Sequence, residues 1–133
     1  MTQLRDSLKT LIQNAWTLSD GADFVAGRNP CPLDGENPLI RVYHIGSPAN
    51  AKGAGYDSRT IRHRYTVDIR SRSQAKADAA KDEVRKILWT NRVRPWAGYG
   101  PLEFDDGTDH GGGPQLGVWT IEVTIMQHRQ RVN

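Results

Sequence analysis

The sequence predicts an α+β domain: a mixed or mainly antiparallel sheet with an N-terminal amphipathic helix and a second helix, residues 73–89, packed on one sheet face. Three observations predict it. Ile61, His63, Tyr65, Val67 and Ile69 alternate with Arg62, Arg64, Thr66, Asp68 and Arg70, the period of a strand with one apolar and one polar face. Ala77, Ala80, Val84, Ile87 and Leu88 then fall at helical spacing between Ser73 and Trp89. Trp119, Ile121, Val123 and Ile125 alternate with Thr120, Glu122 and Thr124 inside a second long strand, Gly117 to His128.

The remaining elements follow in order. Leu4, Leu8, Leu11, Ile12 and Ala15 line one side of a 3.6-period helix, with Thr2 as the expected N-cap and Gly21 beyond its end. Asp20 to Pro38 is dense in Gly and Pro and reads as an irregular connection. Leu39 to Ile45 is β-branched and aromatic, a strand ended by Gly46-Ser47-Pro48, and Ala49 to Ser58 reads as a loop. In the long strand, Arg59 to Arg70, one face should be buried and the other wet. At ~3.3 Å per residue it spans ~40 Å, more than the ~36 Å diameter of a compact domain of this size.

Ser71 or Ser73 caps the next helix, where Asp78 and Asp82 precede Lys81, Arg85 and Lys86 in the favourable acid-before-base order. The short link to the strand forces this helix back onto the apolar sheet face. Arg92 to Gln115 is a long connection with room for a short strand at Arg92 to Trp96 or Leu102 to Phe104. Its length leaves the last strand free to run parallel or antiparallel.

Composition bounds the function. The 133 residues make one domain, and 37% hydrophobic with 25% charged residues is an ordinary globular balance. A net charge of +3 fits contact with nucleic acid or an acidic partner without requiring either. The single cysteine, Cys31, excludes an internal disulfide and the thiolate zinc frameworks. The opening residues lack the basic and apolar runs of a signal peptide, and no apolar run is long enough for a membrane span, so a reducing cytoplasm is the expected site of assembly.

The chemical motifs are near misses. Gly46 to Gly53 approaches a phosphate-binding loop, but Ala51 stands where the second glycine belongs and Gly53 where the hydroxyl that holds Mg²⁺ belongs. Asp105, Asp106, Asp109 and His110 offer hard-cation ligands within six residues, yet Gly107 comes too early for an EF-hand loop and no acid follows. A solvated turn is the better reading. His44, His63, His110 and His128 lack metal-helix spacing, and Cys31 has no evident base beside it. No enzyme, cofactor or metal site is expected.

The order of helix, strand, glycine-rich loop, long strand, helix, long loop and final strand resembles the tail-terminator or tail-completion proteins of long-tailed bacteriophages, the minor tail protein U type. Ile61 to Ile69, Ser73 to Trp89 and Val118 to Gln127 carry the likeness. It implies a structural virion protein: a homohexameric ring that caps the tail tube, ends elongation, docks to the neck of the head and lets DNA pass. The implied partners are further copies of the chain, the tail-tube protein, the head-neck connector and DNA in transit, with no membrane. That family has no signature residues, so candidate channel or partner contacts come from charge and position alone: Lys52 and Arg59, with Arg62, Arg64 and Arg70. The alternatives are a head-tail joining protein, a nucleic-acid-binding module using the arginine face, and a small enzyme with a divalent ion at Asp105 to His110.

Overall fold

A computed structural model describes residues 3–19, 21–27, 37–45, 60–110 and 117–128. Thr2, Cys31, the phosphate-loop near miss, Lys52 and Arg59 lie outside the described residues. The elements are α1 (Leu4–Asn14), β1 (Asp23–Ala26), β2 (Leu39–His44), β3 (Thr60–Ser71), α2 (Gln74–Thr90), β4 (Tyr99–Phe104), β5 (Thr108–Asp109) and β6 (Gly117–His128). They form one mixed six-stranded sheet, ordered β1-β2-β3-β6-β4, with β5 also on β6. Two helices packed on a sheet whose pairs are all antiparallel except β1 with β2 make this an α+β domain.

The alternating strands form its centre. β3 and β6 pair antiparallel in unbroken register from Thr60↔His128 to Ser71↔Gly117, which settles the direction of the last strand. Val67, Ile69, Ile121, Val123 and Ile125 meet Ala80, Val84, Ile87 and Leu88 of α2 and Leu8 and Ile12 of α1 in a single apolar core. The Ser73 hydroxyl caps α2 by accepting from the Lys76 N–H at 3.3 Å, while the Ser73 N–H donates to Ser71 Oγ at 3.1 Å. The chain can therefore turn from strand to helix without stranding polar backbone. At the other end of this turn α2 lies so close to β6 that a Cβ on Gly117 would sit 2.6 Å from Ala77 Cβ.

Four expectations need correction. Gln3, not Thr2, occupies the N-cap of α1, and its side chain makes no capping bond. The Asp20 to Pro38 segment is not wholly irregular, since Asp23–Ala26 pairs in parallel with β2. Four residues between two glycines are too few to show a period, and a parallel partner is not announced by a hairpin turn. Within the Arg92 to Gln115 connection two strands, β4 and β5, return to β6. Of the two positions foreseen for a strand there, Leu102 to Phe104 lies in β4, whereas Arg92 to Trp96 contributes only the Trp96↔Tyr99 bridge. Pro101 obscured β4, yet proline is admissible on an edge strand.

The fourth correction concerns the polar face of β3, which is not uniformly wet. Thr66 and Asp68 are 6% and 2% exposed.

Candidate functional surface: the helix-free face of the sheet

Directly opposed residues of neighbouring strands share a face. Ile61, His63, Tyr65, Val67 and Ile69 of β3 thus face the helices together with Gln127, Ile125, Val123, Ile121 and Trp119 of β6. Arg62, Arg64, Thr66, Asp68 and Arg70 point the other way, beside Met126, Thr124, Glu122, Thr120 and Val118. Both described helices pack on the inner side, so among the described residues the outer side carries no helix.

Asp68 organises its middle. Arg41 Nη2 on β2 donates to Asp68 Oδ2 at 2.8 Å, and Arg70 Nε lies 3.2 Å from each Asp68 oxygen. The register explains the meeting: Arg41 is the cross-strand partner of Asp68, and Arg70 lies two residues along the same face. A carboxylate buried this deeply needs such partners, because an unpaired buried charge is strongly unfavourable. Arg41 also stands over the Tyr43 ring at 5.5 Å. Farther along, Arg64 Nη2 lies 3.9 Å from Glu122 Oε2, and both side chains remain more than half exposed. Arg62 is exposed. Of the sequence-derived candidates, Arg62, Arg64 and Arg70 therefore do share one face, with Arg70 and Arg64 engaged by acids of the same chain.

The acidic patch dissolves into structural contacts. Asp105 Oδ1 accepts from the Gly107 N–H at 3.0 Å and the Glu122 N–H at 3.2 Å, tying the turn after β4 to β6. Asp106 pairs with Arg85 of α2 at 2.9 Å. His110 hydrogen-bonds Thr120 Oγ1 at 2.7 Å, and Asp109 belongs to β5 opposite Trp119. Among the described residues no group of three or more His, Cys, Asp or Glu side chains converges as a metal site requires. His63 Nε2 bonds Gln127 Oε1 at 2.8 Å, and His44 meets the Tyr65 ring edge-on at 5.3 Å.

Two carboxylates that hold elements together were not foreseen in these roles. Glu83 is 4% exposed on α2. Its Oε2 accepts from Thr17 N–H at 2.5 Å and Thr17 Oγ1 at 2.6 Å, while Lys86 Nζ reaches Oε1 at 2.7 Å. Burial pushes this carboxyl up, but the hydrogen bonds from Lys86 and Thr17 outweigh it and hold it below the ordinary value. Asp78 accepts from Trp119 Nε1 and Gln74 Nε2, both at 2.8 Å, and Lys81 Nζ stands 4.3 Å above the Trp119 ring. The Trp119 bond, then the Gln74 bond, draw the Asp78 carboxyl below its usual range. The expected helical ladder is thus rearranged: Asp82 pairs with Lys81 at 3.1 Å and Asp78 bonds to the sheet.

A recess of about 710 Å³ lies along the segment after α2, lined by Val93, Trp96, Tyr99 and Pro101 among others. Arg94 and Tyr99 are the only ionisable side chains among its described lining residues. No described helix is long and apolar enough to cross a membrane. Neither a protein-family model nor a curated protein matches the sequence.

Proposed function

We propose that this chain is a structural subunit of a long-tailed phage virion, a tail terminator that closes into a homohexameric ring, caps the tail tube and joins it to the head neck. One observation carries the reading. The domain is built around two strands paired over their whole length of twelve residues, ~40 Å against a body of ~36 Å, and it turns a helix-free, charged face outward. A face of that span suits contact with neighbouring subunits better than it suits a pocket for a small substrate. The element order that underlies the resemblance to tail terminators supports the same reading.

The nucleic-acid-binding alternative is weaker on this geometry. A phosphate-tracking surface needs cations free to displace counterions, whereas Asp68 holds Arg41 and Arg70. The reading is tested by polymerising the tail-tube protein of the same phage with and without this chain. Electron micrographs should show tubes that stop growing with a ring seated at one end. Uninterrupted growth of bare-ended tubes would contradict the proposal.

A further inference from the structure

The sheet is electrically lopsided. β1, β2 and β3 carry Arg41, Arg62, Arg64 and Arg70 against Asp23 and Asp68. The opposite half, β4, β5 and β6 with the turn between the first two, carries Glu103, Asp105, Asp106, Asp109 and Glu122 and no lysine or arginine. The basic half is thus net positive and the acidic half has no cation of its own. Arg85 reaches Asp106 from α2.

We propose that the acidic half of one copy docks beside the arginine-bearing half of the next, so that copies join head to tail through this charge asymmetry. The inference rests on the ring reading and names the contact that closes the ring. Two different patches meeting in this way form a heterologous interface, which yields a closed ring when the rotation between copies is right. The outer face supplies the groups. Arg64, Thr124 and Glu103 lie in one row across β3, β6 and β4, so a positive and a negative side chain stand roughly two strand spacings apart, ~10 Å. Arg62 and Glu103 are exposed, and the Arg64–Glu122 pair, at 3.9 Å, is long and solvated. An exposed pair of this kind is worth little within one chain, which leaves both groups available to a neighbour.

Strand addition at β4 is not the route. The Leu102 N–H is already taken by the Arg92 carbonyl at 2.6 Å. Pro101 has no N–H, and Gly100 lies directly against the Val93 carbonyl. That edge is closed in the manner of protected edge strands, so contact on the acidic side falls to side chains.

The test uses two full-length double variants, Arg62→Glu with Arg64→Glu, and Glu103→Arg with Glu122→Arg, each read by native mass and checked for unchanged circular dichroism. Each alone should drop to the monomer mass, because the exchanged positions then meet side chains of their own sign across the contact. An equimolar mixture should recover the wild-type mass, since every contact regains opposite charges. If wild type forms a ring and both variants keep it, the charge contact is wrong while the ring reading stands. If wild type forms only open chains or dimers that the variants disrupt and the mixture restores, the contact stands and the ring reading fails. Wild type that is monomeric throughout, or that binds a single-stranded oligonucleotide through Arg62 and Arg64 instead, overturns the inference.

Discussion

Val67 and Asp68 are neighbours in β3 and both are nearly lost to water, 0% and 2% exposed, yet they are buried by opposite means. Val67 sits in an apolar layer beneath two helices, where area removed from water is the driving force. Asp68 is covered on the helix-free side by two arginines whose own charges it satisfies. The inner face is held by packing and tolerates no voids. The outer face is held by polar pairs that could be rearranged, or shared with another molecule, without dismantling the core. On the proposed reading, stability and assembly fall to different sides of the same strands.

The comparison can be broken first on the inner side. Ile69→Ala removes a fully buried side chain between helices and sheet and should cost about 2–5 kcal/mol, read as a fall in urea midpoint with unchanged slope. A loss below about 1 kcal/mol would mean that the helices do not seal this face. Asp68→Ala comes next. It removes the carboxylate that meets Arg41, whose side chain is 16% exposed, at 2.8 Å, and we expect about 1–3 kcal/mol because Arg70 is partly solvated and can turn to water. If Asp68→Ala were neutral, the outer face would owe its order to something other than this pairing.

Glu83 sharpens the contrast by placing a charge on the helix side. Its carboxyl is held below the ordinary value in the folded chain. A depressed carboxylate stabilises the fold fully above its unfolded pKa, near 4.5, and loses that contribution as the pH falls through the lower folded value. Glu83→Gln should therefore lower stability by about 1–2 kcal/mol at neutral pH. The gap between variant and wild type should shrink below pH 4.5. Equal gaps at pH 7 and pH 3 would show that the carboxylate is not charged in the fold. The smallest effect on stability belongs to the outer rim: Arg64→Glu should shift the urea midpoint by no more than about 0.5 kcal/mol equivalent while weakening self-association.

Much of this organisation was legible in the sequence because its longest elements are strongly periodic. The β3 alternation, the α2 stripe and the β6 alternation mark which residues face inward; their apolar positions join or border the core cluster except Ile61 and Ala77, which are buried beside it. Asp68 was read as wet because alternation reports side, not depth; its cover comes from Arg41, 27 positions earlier in the chain. Glu83 was missed for a similar reason, since its partner Thr17 lies 66 positions away. β1 and β4 were too short, or too interrupted by Gly100 and Pro101, to show a period. Arg62, Arg64 and Arg70 shared a face from the alternation alone, but the acidic half that complements them emerged only when β4 was placed beside β6.

The account depends most on the chain assembling with itself, and the native mass of the purified wild-type protein tests that directly. It predicts a closed particle of about six 14.9 kDa chains that loosens as salt screens its contacts. A single 14.9 kDa species throughout the micromolar range at low salt would contradict it.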